Sequence, residues 1–148
     1  MEIRRIDENK KQFLDLLLLA DEQENMIDRY LERGTMYVLY DNGVKGEVVV
    51  TDEGNGILEI KNIAVLPDYQ AEGYGRLLIN FLVKEYKDKK YNELQVETGD
   101  SPLILSFYKK CGFIYHHRIK NFFVDNYYHP IYECGKQLVD MVYLRRKI

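Results

Sequence analysis

The sequence predicts an α/β protein of the layered α+β kind, with a mixed, mostly antiparallel central sheet of about seven strands and helices on both faces. Three observations predict it. Asn42-Gly43 stands between two apolar runs, which is the strongest short hairpin signal because both central residues of such a turn need positive φ. Ile57 to Val65 is apolar enough that a strand there must be covered on both faces. Apolar residues recur at helical spacing near the start (Phe13, Leu14, Leu17, Leu18) and in the middle (Tyr74, Leu77, Leu78, Phe81, Leu82), and these helices supply the covers.

Taken in order, Glu2 to Ile6 is a short first strand, and Asp7 is placed to cap the helix that follows. Lys10 stands where a capping-box Glu belongs, so only half of that signal is present. A second helix is predicted from Asp21 to Arg33, with Met26, Ile27, Tyr30 and Leu31 inward and Gly34 ending it. Met36 to Tyr40 and Val44 to Thr51 form the hairpin arms. Gly54-Asn55-Gly56 turns the chain into the strand Ile57 to Val65. A loop, Pro67 to Gly75, leads into a helix over Gly73 to Lys87. Glu93 to Glu97 is a strand, and Pro102 to Lys110 is a short helix closed by Cys111-Gly112. Phe113 to Phe123 reads as a long strand and Leu138 to Leu144 as a last one, with an irregular aromatic stretch between them.

With 148 residues and no repeat or linker, the chain is read as one domain over 1–148. Hydrophobic residues at 46% and charged residues at 30% are an ordinary globular mixture. The net charge of −3 lacks the basic face that phosphate-backbone binding needs, so no nucleic-acid partner is expected. Leu16 to Leu19 is too short to span a bilayer, so no membrane partner is expected and the location is read as cytoplasmic. Two cysteines, Cys111 and Cys134, make no disulfide framework and are read as reduced thiols. His116 and His117, adjacent on a strand, are expected to face opposite sides. With His129 and the cysteines they show no metal-ligand spacing, and no metal is expected. The basic end, Arg145-Arg146-Lys147, reads as a solvated tail.

The informative segment is Gln70-Ala71-Glu72-Gly73-Tyr74-Gly75-Arg76. It follows a buried strand and opens a helix, whose first N–H groups are unpaired and lie at the positive end of the dipole. Two glycines let that backbone approach a pyrophosphate. Arg76 is a cation in the first turn, opposing the dipole, and an anion would resolve the conflict. A Walker loop is excluded because no Gly-Lys-Ser/Thr occurs. A Rossmann fingerprint is excluded because Leu78 occupies the third small position.

Leu58 to Leu82, LEIKNIAVLPDYQAEGYGRLLINFL, resembles the central acetyl-CoA motif of the GNAT N-acetyltransferase superfamily, and Ser106 to Phe113, SFYKKCGF, resembles its later motif. In order, and between compatible strands and helices, the two identify the chain as a small single-domain bacterial-type member. The tail from Asn121 to Leu144 is similar to that of a subgroup of small members. The resemblance implies two parallel central strands that splay apart, with the pantetheine arm of acetyl-CoA in the gap. Backbone groups of Ile63 and Val65, flanking Ala64, would pair with the pantetheine amides, and the N–H groups of Gln70, Ala71, Glu72, Gly73, Tyr74, Gly75 and Arg76 would hold the pyrophosphate. Ser101 stands near a position where many members place an Asn that touches pantetheine.

Transfer to an amine needs a proton acceptor, because an alkylammonium with pKa about 10 is charged at neutral pH. Glu59, on the buried strand, matches a family base position and is expected to share a face with Ile57, Lys61 and Ile63. Burial would raise its pKa. Tyr108 matches the family's general-acid tyrosine, which returns a proton to the departing thiolate. An N–H near Val65 is the expected oxyanion donor. The acceptor is expected to be a primary amine of a small molecule or a peptide, attacking directly in a ternary complex. The acidic stretch Asp21, Glu22, Glu24, Asp28 and the aromatic stretch Tyr127-Tyr128-His129 suit an ammonium group. A homodimer is plausible from the resemblance. The alternative function is a non-catalytic acyl-CoA-binding regulatory module.

Overall fold

The computed structural model describes residues 1–148. Its strands are β1 (Glu2–Ile6), β2 (Thr35–Tyr40), β3 (Val44–Asp52), β4 (Ile57–Val65), β5 (Glu93–Gly99), β6 (Ile114–Ile119), β7 (Tyr132–Glu133), β8 (Lys136–Gln137) and β9 (Met141–Lys147). Its helices are α1 (Leu14–Ala20), α2 (Glu24–Ile27), α3 (Tyr74–Tyr86), α4 (Pro102–Lys110) and α5 (Phe122–Asn126). Seven strands form one sheet in the order β1-β2-β3-β4-β5-β9-β6. Every neighbouring pair is antiparallel except β4 and β5. This is the mixed, mostly antiparallel sheet that the sequence predicts. No helix is long and apolar enough to cross a membrane.

The sheet is covered on both faces because its inner strands are apolar on both. Leu58, Ile60, Leu94, Val96, Val142 and Leu144 point to one face and pack with Leu78, Ile79 and Leu82 of α3 and Tyr108 of α4. Met36, Val38 and Val49 point to the other and pack with Leu17 of α1 and with Ile27, Tyr30 and Leu31. Leu78 and Leu82 are fully buried, and truncating either to Ala costs about 2–5 kcal/mol.

Five expectations about local structure are corrected. Asp7 is not a cap: Asn9, at φ 50, starts a 3₁₀ turn over Lys10–Phe13 that precedes α1. Lys10 instead donates its Nζ to the carbonyls of Leu31 and Gly34 at 2.8 and 2.6 Å. Those contacts accompany the second correction. The predicted helix over Asp21 to Arg33 is only the single turn of α2, followed by tight turns in which Arg29 and Tyr30 donate to the carbonyls of Met26 and Ile27. Its apolar set is buried as predicted, so burial and not helical periodicity carries the packing.

The third correction lies at the late strand, which ends at Ile119. There Asn121 takes φ 58, donates its N–H to the Asp140 carboxylate at 2.9 Å and opens α5. The fourth is the basic tail, which is strand β9: Arg145 donates to Gln95 at 2.6 Å and Arg146 to the Cys111 carbonyl at 2.7 Å. A register shift between Tyr115 and His117 also brings His116 and His117 together, with their Nδ1 atoms 2.7 Å apart.

Candidate functional site

The parallel pairing of β4 with β5 runs only from Ile57↔Glu93 to Ile60↔Val96. Beyond it β4 stays on β3 as far as Val65, and β5 stays on β9 as far as Gly99. The two central strands therefore part after Ile60, and a gap opens between Lys61–Val65 and Glu97–Gly99. The Leu66 N–H reaches back to Lys45 on β3. Backbone direction alternates along a strand, so the polar groups of Ile63 and Val65 face the gap. The Val65 carbonyl accepts the Gln70 side-chain amide at 3.0 Å on that open side.

At the mouth of the gap, the chain turns through a short 3₁₀ segment and enters α3. Ala71 at φ 65 and Gly73 at φ 92 are both left-handed. No main-chain N–H from Ala71 through Arg76 has a hydrogen-bond acceptor within the protein. An alanine-like Cβ on Gly73 would meet nothing within 4 Å, so only its φ demands glycine. At Gly75 the reason is space, since a Cβ there would sit 3.2 Å from the Phe107 ring. Tyr74 fastens the turn by donating to Asp41 at 2.7 Å. The Arg76 guanidinium donates to the Lys110 carbonyl at 2.8 Å, at the negative end of α4, so the dipole conflict is partly relieved within the protein. A row of unpaired amides beside two splayed strands fits a diphosphate with an extended arm.

A cleft of about 330 Å³ occupies the gap and continues towards the end of α1 and the segment 123–141. Ile63, Ala64, Val65, Gln70 and Tyr108 line it, as do Lys61, Asn62 and Glu97. Ser101 does not: it is fully buried at the start of α4, and its Oγ has no partner. Tyr108 is 6% exposed, and its hydroxyl makes no hydrogen bond to the protein. Burial pushes its pKa up, so the phenol keeps its proton.

Glu59 is also buried but does not reach the cleft. The reason is a β-bulge: Val49 pairs with Asn62 and Val50 with Ile60, leaving Lys61 extra. Ile63 thereby packs with Ile60 on the α3 face, so it does not share a face with Glu59. Asn62 turns to the α1 side and donates to the Leu17 carbonyl and the Tyr30 hydroxyl, each at 3.0 Å.

Glu59 instead belongs to a polar row that crosses the sheet. It accepts from Gln95, which accepts from Arg145, and it pairs with Lys61. Lys61 also reaches Glu97 at 3.4 Å, and Tyr143 donates to Glu97 at 3.2 Å beneath the stacked ring of His117. Burial pushes Glu97 up to about 7; Lys61 opposes that rise and the Glu59 carboxylate adds to it. Burial pulls Lys61 down, but the two carboxylates outweigh it and its pKa rises. Glu97, the last residue of a predicted strand, was missed by sequence reasoning. Its signal was positional: it lies two residues after Gln95 on the strand that faces Glu59.

Among known proteins, residues 32–115 match the acetyltransferase (GNAT) domain family. An uncharacterized N-acetyltransferase of Bacillus subtilis, YvbK, is 35% identical over 140 residues, covering 93% of this chain and 90% of its own. A GNAT family acetyltransferase of Elizabethkingia anophelis, solved with acetyl-CoA bound, superposes with a TM-score of 0.92 at 37% identity, covering 99% of this chain and 97% of that one. A Bacillus subtilis acetyltransferase in complex with CoA superposes at 0.89 with 34% identity, covering 99% and 98%.

Proposed function

The chain belongs to the GNAT acetyltransferase family and is an acyl-CoA-dependent acetyltransferase, and on that premise we propose that it moves an acetyl group from acetyl-CoA to a primary amine of a small molecule or peptide, by direct attack in a ternary complex. The observation that carries this reading is the splayed gap with Glu97 and Tyr108 both on its walls. Acetyl-CoA enters as co-substrate. Its pyrophosphate lies against the N–H groups of Ala71 to Arg76, that of Gln70 being taken by the Pro67 carbonyl at 3.4 Å, and its pantetheine arm follows Ile63 to Val65. In that pose the Gln70 side chain gives up the Val65 carbonyl.

The proton of the incoming ammonium goes to the Glu59–Glu97 carboxylate pair. Glu97 is the member that reaches the cleft, and Glu59 with Lys61 sets its proton affinity. A carboxyl poised near neutrality takes a proton far better than one with an ordinary pKa near 4. A main-chain N–H near Val65 supports the developing oxyanion. Tyr108, buried and free of protein partners, returns a proton to the departing thiolate. Ser101 stands at the start of α4, which carries Tyr108, and bonds to that helix through its main-chain carbonyl, which accepts from the Leu105 N–H at 3.0 Å. The enzyme is read as cytoplasmic and as a homodimer; a sedimentation mass of one chain would remove the dimer.

The test is a panel of polyamines, aminoglycosides, amino acids and peptides with acetyl-CoA and detection of free thiol. Acceptor-dependent thiol release supports transfer. Stabilisation by acetyl-CoA with no thiol release on any acceptor would instead indicate a binding module.

A further inference from the structure

We propose that the acceptor carries a second cationic group beside its reacting amine, and that Glu133, with Glu22, receives it. The proposal deepens the amine-transfer reading above and rests on it. The cleft is lined by four carboxylates, those of Asp21, Glu22, Glu97 and Glu133, against one cation, Lys61. That cation is already engaged by Glu59 and Glu97. Tyr127 donates to Asp21 at 2.8 Å. Glu133, on β7, is half-buried in the cleft wall, and its carboxylate has neither an ion pair nor a hydrogen bond. The one ion-pair partner of Glu22 is His129, at 3.8 Å. Burial raises the pKa of Glu133, and the charge of Glu22 adds to the rise. Glu133 and Tyr108 line the same cleft.

A second observation points to the same ligand chemistry. Asn62 is 3% exposed and lines the cleft. Its amide nitrogen is committed to Leu17 and Tyr30, while its Oδ1 accepts nothing. A buried acceptor without a donor is costly, and an ammonium supplies N–H donors. No group of three or more His, Cys, Asp or Glu side chains is close enough to hold a metal ion, so chelation does not account for the carboxylates. The same cleft is also lined by the apolar cluster of Phe123, Ile131, Leu138 and Met141. That pattern fits an amine whose two cationic ends are joined by a short hydrocarbon spacer.

The experiment compares butylamine, the corresponding terminal diamine and the corresponding ω-amino acid as acceptors, with acetyl-CoA, for the wild-type chain and for Glu133→Gln and Glu22→Gln. The diamine is expected to exceed butylamine in kcat/KM by about tenfold or more, the effect of one charge-assisted hydrogen bond. The amino acid is expected to be the poorest. Glu133→Gln is expected to remove most of the diamine's advantage through KM while leaving butylamine turnover and the melting temperature unchanged. Equal kcat/KM for diamine and monoamine, or a preference that survives both variants, overturns the inference and leaves amine transfer standing. Acetyl-CoA binding with no acetylation of any of the three overturns the amine reading and this inference together.

Discussion

The two ends of the gap between β4 and β5 offer different kinds of contact. Around β4 and the start of α3, the contact on offer is main-chain: unpaired N–H groups from Ala71 to Arg76 and the open edge of Ile63 and Val65. Around the end of α1 and residues 123–141 it is side-chain: carboxylates and tyrosines from segments distant in sequence. Asp21 meets Tyr127, Gln23 meets the Tyr128 N–H, and Asn25 meets the Tyr128 hydroxyl. The difference teaches where variation is tolerated. A backbone site depends on glycines and on strand geometry, and it suits a fixed co-substrate. A side-chain site changes with each substitution, and it suits the variable partner.

The sharpest way to break this division is at Tyr108, where the two meet. Tyr108→Phe is expected to lower turnover by about 10²–10³-fold, the range for loss of a general acid, while the acetyl-CoA dissociation constant measured by calorimetry stays within a factor of two or so. Loss of binding in step with turnover would instead mean that the hydroxyl serves the co-substrate.

Next in size is Glu97→Gln, expected to cost about 10²-fold in kcat/KM and to change its pH dependence. A base must be unprotonated to act. Since the Glu97 pKa is raised to about 7, wild-type activity is expected to climb as pH rises through neutrality. The Gln variant is expected to lack that step, and a step that survives belongs to another group. Glu59→Gln is expected to move the midpoint, because it removes the carboxylate whose charge helps raise Glu97.

On the main-chain side, Gly73→Val forces a β-branched residue to φ 92 and is expected to weaken acetyl-CoA by about tenfold or more. The melting temperature without ligand serves as the control. Unchanged affinity would separate the turn from the co-substrate.

The smallest effect concerns Glu47, which lies on β3, fully buried, with neither carboxylate oxygen partnered. Burial raises its pKa well above the usual carboxylate range. A carboxyl that binds its proton more tightly when folded costs nothing below its unfolded pKa, and it subtracts stability as pH climbs from there towards its folded pKa. Glu47→Gln is therefore expected to leave stability near pH 4 unchanged and to raise it at pH 8. A gain of about 1 kcal/mol would appear as about 2–4 °C in thermal melts. A variant less stable at both pH values would mean that Glu47 has a partner.

Much of this molecule was legible in its residues, and unevenly so. The Asn42-Gly43 hairpin, the strand over Ile57 to Val65 and the glycine-bearing turn are local features, set by φ preferences and apolar runs. The helix predicted from Asp21 to Arg33 failed because its apolar spacing is served equally well by turns that Lys10 ties down from a distance. The facing of Glu59 failed because a one-residue bulge at Lys61 reverses strand alternation, and no local signal marks a bulge. Glu97 became visible only when β5 was laid beside β4. The carboxylates of the acceptor end are scattered over more than 100 positions, from Asp21 to Glu133, and only the fold gathers them.

On this reading the amides at the start of α3 hold the diphosphate of acetyl-CoA. Residue-resolved amide exchange, with and without coenzyme A, tests it most directly. Slower exchange at Ala71 through Arg76 on binding is the predicted result. Unchanged exchange at all six, with saturating ligand bound, would contradict it.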